Sequence, residues 1–112
     1  MNNKQLATIY IVRHGETDWN ASKIIQGHKD IPLNSKGEIQ AKKLADTLTH
    51  VKFDLAFSSD LLRAKKTAEI IALEHKISVE TTEQLRERSF GKLEGQTSNI
   101  FEAYFDLLKE MS

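Results

Sequence analysis

Ile9, Tyr10, Ile11 and Val12 form a continuous apolar run that stops at Arg13-His14-Gly15. A β-branched run without polar alternation predicts a strand buried on both faces. Glu16 to Leu33 contains Gly27 and Pro32 and few periodic apolar positions. It predicts a long loop with a turn of helix around Asn20 to Ile25, and long loops in small domains are usually functional. A first long helix is expected from Asn34 or Ser35, because Ser35-x-x-Glu38 matches a capping box. Ala41, Leu44, Ala45 and Leu48 keep the i, i+3, i+4, i+7 spacing of one buried face. Gly37 weakens its first turn by up to ~1 kcal/mol relative to alanine.

Phe53 to Phe57 predicts a second strand. Ser59 or Asp60 would cap a helix from Leu61 to His75, with Leu61, Ala64, Ala68 and Ile71 facing inward. Ile77 to Thr82 predicts a third strand. Residues 85–97 hold Gly91 and Gly95, mixed charge and no sustained period, and predict a loop. A last helix is expected from Ser98 to Met111, with Phe101, Tyr104, Phe105 and Leu108 on one face.

Strand, helix, strand, helix implies a parallel pair joined by a right-handed crossover. The C-terminal ends of the first two strands then share one edge of the sheet, where ligands bind in open α/β folds. Arg13-His14-Gly15 leaves the first strand there, and Ser58-Ser59-Asp60 leaves the second and leads to Arg63. Topology alone therefore brings His14 and Arg63 together.

Composition narrows the function classes. The 112 residues suit a single domain spanning 1–112. Sixteen basic and sixteen acidic side chains cancel, with no basic block, which argues against a nucleic-acid or membrane-surface role driven by bulk charge. The chain has no cysteine, so disulfides and thiolate metal sites are excluded. The Ala7–Val12 run is too short to span a bilayer and lacks a signal-peptide pattern, so the expected location is the cytoplasm. The four histidines have no metal-ligand spacing, and no metal or cofactor is expected. His50 and His75 suit helix C-termini, where a cation matches the dipole. His28 reads as a rim residue beside Gly27. Ser35-Lys36-Gly37 lacks the frame of a P-loop.

Taken singly, an Arg-His pair at a strand end, an arginine on a helix and a loop carboxylate each have bland structural readings. Four segments in order change that balance: Arg13-His14-Gly15-Glu16-Thr17-Asp18-Trp19-Asn20, Gln26-Gly27-His28-Lys29-Asp30-Ile31-Pro32-Leu33, Ser58-Ser59-Asp60-Leu61-Leu62-Arg63-Ala64 and Leu85-Arg86-Glu87-Arg88-Ser89-Phe90-Gly91. With these the chain resembles the histidine phosphatase superfamily, which includes phosphoglycerate mutases and many phosphomonoesterases.

The resemblance implies an α/β, three-layer phosphoglycerate mutase-like fold with a mainly parallel sheet, incomplete in this chain. It implies that His14 is the nucleophile, since a neutral imidazole can attack phosphorus and form a phosphohistidine. Arg13 and Arg63 match a phosphate clamp, which suits the planar guanidinium fork. Asn20 matches a further phosphate donor, and Gln26 and Gly27 match the loop beside it. Gly15 would let phosphate approach the backbone. Glu87 matches the proton donor that a leaving alkoxide needs. The scheme requires no metal, and the implied partner is a small phosphorylated metabolite.

Two departures bear on the reaction. The family supplies a second histidine in a later His-Gly motif, whereas the single His-Gly here is His14-Gly15. The expectation is therefore an N-terminal portion of the family domain. Loss of one clamp residue would slow the reaction on the order of 10²–10³-fold. Missing strands would leave an exposed sheet edge that invites self-association. Phe90 and Ser98 stand where mutases of the family carry Tyr and Lys. That favours a phosphatase over a phosphoglycerate mutase. The segments look most like fructose-2,6-bisphosphatase-like and broad-specificity phosphatases. The rival of another class is a truncated, non-catalytic remnant that binds phosphate or a partner protein.

Overall fold

A computed structural model describes residues 6–100. Its elements in chain order are α1 (Asp18–Ala21), α2 (Ser35–Thr47), β1 (Ala56–Ser59), α3 (Leu62–His75) and β2 (Val79–Thr82). Single 3-10 turns follow at Glu83–Leu85 and Gly91–Leu93. β1 and β2 pair in parallel, with Ala56 opposite Val79 and Ser59 opposite Thr82. α3 forms the crossover between them and packs against both strands on one side and α2 on the other. It ends at Lys76, whose left-handed φ of 55° turns the chain toward β2.

The predicted first strand does not form. Among the described residues, residues 9–12 pair with no strand, and Ile9 and Ile11 are 78% and 93% exposed. A run apolar on both faces is stable as a strand only between neighbours that cover and hydrogen-bond it. Among the described residues the sheet contains β1 and β2 alone. One contact anchors the run from within: the Tyr10 ring meets Phe53 edge-on at 5.2 Å. The parallel pair expected from topology exists, but it is β1 with β2 rather than Ile9–Val12 with the second strand.

The second strand lies a few residues later than predicted. Phe53 and Leu55 precede it, so Ser58 and Ser59 are buried strand residues rather than the exit from it. α2 starts where expected, but its cap is Asn34, whose side chain accepts from Gly37 N at 2.8 Å. The reciprocal capping box belongs instead to α1, where the side chains of Thr17 and Asn20 satisfy each other's backbone N–H groups. α1 itself lies earlier than the predicted turn around Asn20 to Ile25.

Ala41 and Ala45 are buried as predicted and join Leu61, Ile71, Ala72 and Ile25 in the core. α3 departs from its predicted face. Arg63, Thr67 and Ile71, four residues apart, are buried, whereas Ala64 and Ala68 are half-buried. Neither Ser59 nor Asp60 is the N-cap of α3: that position is Leu61, without a side-chain cap. The carboxylate of Asp30 takes the Leu62 N–H at 2.6 Å, and Ser59 Oγ accepts from Leu61 N. Asn99 and Ile100 are helical, but the rest of the predicted last helix lies outside the described residues.

Candidate active site

Loss of side chains at two glycines sets the position of His14. A Cβ on Gly15 would lie 2.4 Å from the Gly37 carbonyl oxygen, and one on Gly37 would lie 2.1 Å from the Glu16 carbonyl oxygen. The Gly15–Glu16 segment thus presses directly on the first turn of α2. That is a packing requirement, distinct from the phosphate approach expected at Gly15, and it accounts for a glycine inside a helix. Thr67 completes the anchor: its hydroxyl accepts from Gly15 N at 3.1 Å and donates to Arg63 O at 2.8 Å.

His14 is half-buried, and its Nδ1 lies 2.6 Å from the Gly15 carbonyl oxygen. A carbonyl only accepts, so Nδ1 carries the proton and donates. In the neutral ring the lone pair therefore resides on Nε2. The pKa of His14 is lowered from the usual histidine value, chiefly because burial disfavours the charged ring. The positive charges of Arg63 and Arg13 lower it further, against the Gly15 hydrogen bond and the Glu87 carboxylate, which raise it. These interactions bring Arg13, Arg63 and Glu87 into one neighbourhood around His14, and Glu87 acts on Arg63 as well. Arg13 and Glu87 are exposed; Arg63 is 2% exposed.

Arg63 has a second task. Its two terminal nitrogens donate to Lys29 O at 2.6 Å and Gly27 O at 2.7 Å. Five N–H donors make this compatible with binding an anion, because three remain. The arginine therefore fixes the loop that begins at Gln26 while its charge lowers the His14 pKa. Asn20 and Gln26 meet at Thr17, which is fully buried. The Thr17 hydroxyl accepts from Asn20 N at 3.0 Å and donates to Gln26 Oε1 at 2.5 Å. Asn20 Oδ1 accepts from Thr17 N. With both amide oxygens occupied, what these side chains offer a ligand is N–H donors, which suit an anion.

The loop carrying Glu87 is held from the other side. Arg86 donates from Nε and a terminal nitrogen to both carboxylate oxygens of Asp60 at 2.6 Å, a bidentate pair at the end of β1. That bond is the main reason the Asp60 pKa is lowered. His28, expected as a rim residue, donates from Nε2 to the Glu87 carbonyl oxygen at 2.7 Å. Thr17, Thr67, Arg86 and Asp60 were not singled out from sequence. The signals were present as Thr17-x-x-Asn20 and as Arg63-x-x-x-Thr67, a polar stripe at helical spacing. His75 ends α3 as expected, its ring 4.7 Å from Phe53, whereas His50 lies beyond the end of α2. Among the described residues no cluster of three or more His, Asp or Glu side chains could hold a metal ion.

The chain is 48% identical over 91 residues to phosphoglycerate mutase-like protein 4 of Arabidopsis thaliana, a match covering 80% of this chain and 40% of that one. Its fold is similar to that of a phosphoserine phosphatase from Entamoeba histolytica, solved with 3-phosphoglyceric acid: TM-score 0.72, 39% identity, 80% of this chain and 44% of that one. It is similar also to a mycobacterial glucosyl-3-phosphoglycerate phosphatase solved with VO3, with TM-score 0.76 and 34% identity, covering 81% of this chain and 45% of that one. The chain thus spans less than half the length of each of these relatives. The family model described as histidine phosphatase superfamily (branch 1) matches residues 9–112. With a half-buried, Nδ1-protonated histidine between arginines at the start of that match, this chain belongs to the histidine phosphatase superfamily, branch 1.

Proposed function

We propose that this protein hydrolyses a small phosphomonoester through a phosphohistidine on His14. The observation that carries the reading is the His14 ring: protonated on Nδ1 by its bond to Gly15 O, lowered in pKa, and set among positive charges. In the first step the Nε2 lone pair forms the N–P bond while the P–O bond to the leaving group breaks. The departing oxygen takes the bond's electron pair and a proton from the Glu87 carboxyl. In the second step the Glu87 carboxylate removes a proton from water, the water oxygen bonds to phosphorus, and the N–P bond returns its pair to Nε2. Arg13 and Arg63, with the amide N–H groups of Asn20 and Gln26, bind the phosphoryl oxygens and stabilise the charge that spreads over them.

The phosphatase reading is favoured over a mutase reading by Phe90 and Ser98, which replace groups suited to a doubly charged phosphoglycerate. The two solved relatives, a phosphoserine phosphatase and a glucosyl-3-phosphoglycerate phosphatase, support the same reading. Among the described residues no helix is long and apolar enough to cross a membrane.

Incubation with a reactive phosphoryl donor tests this. The expected result is an acid-labile, base-stable phosphate on the wild-type chain, absent from His14→Ala and reduced in Arg63→Ala. A folded wild-type chain that binds phosphate but takes no label would favour the rival, a non-catalytic phosphate- or partner-binding remnant.

A further inference from the structure

Two loops supply the pieces that meet at His14. One, residues 23–30, carries Gln26 and Gly27; the other, residues 86–98, carries Glu87. They run together as a stitched pair. Ile24 bridges Thr97 in antiparallel fashion. Ile25 N donates to Gln96 O at 2.9 Å, Gly95 N to Ile25 O at 2.8 Å, and Ser98 N to Lys23 O at 2.6 Å.

These backbone bonds hold the far end of the pair. The near end, beside Glu87, is held by side chains. Glu94 Oε2 accepts from His28 N at 2.8 Å and from Phe90 N at 3.1 Å, so a single carboxylate oxygen joins the two loops. His28, fixed by its backbone in this way, donates from its ring to the Glu87 carbonyl oxygen. Glu87 therefore lies between two points that Glu94 helps to hold, one at its own carbonyl through His28 and one at Phe90.

The space for this carboxylate is provided by a glycine. A Cβ on Gly27 would lie 2.1 Å from Glu94 Oε2, and the Gly27 φ is +51°, where a side chain is strained. The Glu94 pKa is lowered, chiefly by the hydrogen bond from His28 N, so the group is ionised at neutral pH and both bonds are charge-assisted.

We infer that Glu94 is a positioning residue for the reaction: its carboxylate latches the Gly27–His28 turn to the Glu87–Phe90 segment and so aims the Glu87 carboxyl at the leaving group. This rests on the proposed phosphohistidine chemistry with Glu87 as the proton donor. A latch that acts through the acid has a signature that general packing lacks, because only poor leaving groups need the proton.

The test measures the rate of His14 phosphorylation in the whole chain with two donors, p-nitrophenyl phosphate and an alkyl phosphate. Glu94→Ala should slow labelling from the alkyl phosphate about tenfold or more, a fraction of the ~10²–10⁴-fold that a placed acid supplies. Labelling from p-nitrophenyl phosphate should change less than about twofold. Glu94→Gln, whose amide oxygen can accept the same two N–H bonds, should restore most of the loss. Should Glu94→Ala not fold, Glu94→Asp, one methylene too short to reach both amides, carries the same comparison. Equal slowing with both donors, or no slowing with either, overturns the latch while leaving the phosphohistidine intact. Absence of label from wild-type protein with either donor overturns the proposed chemistry, and the latch falls with it.

Discussion

The loops around His14 and the apolar run that leads into it are adjacent in sequence and opposite in how they are held. From Gly15 to Asp30 the chain is tied by Thr67, Arg63, Glu94 and the Thr17 capping box, each a hydrogen-bonded contact to a named partner. Leu6 to Val12 has none of these; Leu6 and Ile11 are 88% and 93% exposed. The difference lies in the kind of interaction each segment requires. A polar loop is fixed by a few directional bonds to individual partners, here the capping box nearby, Arg63 and Thr67 on α3, and Glu94 across a loop contact. An apolar strand is fixed by area, and it needs a neighbour on both faces and both edges. The first requirement is met within these residues and the second is not.

The sharpest way to break this contrast is at Arg63, which is buried and donates to two backbone carbonyls. Arg63→Ala leaves both acceptors without their charged donor, at about 1–3 kcal/mol each, and a loss of roughly 3 kcal/mol is expected in urea denaturation. Arg63→Lys should recover little, because one ammonium does not reproduce the planar fork. Gly27→Ala comes next. Its methyl group would displace the Glu94 carboxylate, and a positive φ adds roughly 1–2 kcal/mol. The same denaturation series measures it.

The pH dependence of labelling probes the charges around His14. Attack needs the neutral ring, so the labelling rate should fall as pH drops through the His14 pKa, which lies below the usual 6.5. Arg13→Ala removes a positive charge that lowers this pKa, so the acid limb should move to higher pH. Glu87→Gln removes a negative charge that raises it, so the limb should move to lower pH. Shifts of the same sign in both variants would contradict the site's electrostatics. The smallest effect is expected in the apolar run. Ile11→Lys in this chain should change stability by no more than about 0.5 kcal/mol, as at other exposed positions. A cost above about 2 kcal/mol would mean that the run is buried.

The same division explains what was legible in the amino-acid sequence. α2 was readable because Ala41 and Ala45 keep helical spacing, and α3 and β2 because helical and strand periods alternate, although the parallel crossover was expected one strand earlier. The juxtaposition of His14 and Arg63 was expected from a parallel pair that includes Ile9–Val12, a pair absent among the described residues; what links the two here is the electrostatic effect of Arg63 on His14. Ile9–Val12 was misplaced because periodicity reports how a segment prefers to be buried and carries no information on whether a neighbour is present. On the inward face of α3, Leu61 and Ile71 are buried as expected, but its polar part was missed for a related reason. An apolar scale selects Ala64 and Ala68, whereas the buried stripe is Arg63 and Thr67, whose polar atoms are satisfied by Gly27, Lys29 and Gly15. Glu94 and His28 were illegible because their partners lie across a loop contact of 59 to 66 residues in sequence separation.

The account turns on one atom, Nε2 of His14, left free because Nδ1 is committed to the Gly15 carbonyl. Nitrogen-15 labelling of the histidines, followed by phosphoryl transfer to the chain and NMR of the product, reads the bonded nitrogen directly through its coupling to phosphorus-31. Coupling to Nε2 of His14 is the predicted result. Coupling to Nδ1, or a phosphoryl group on His28, His50 or His75 instead, would contradict the site as described.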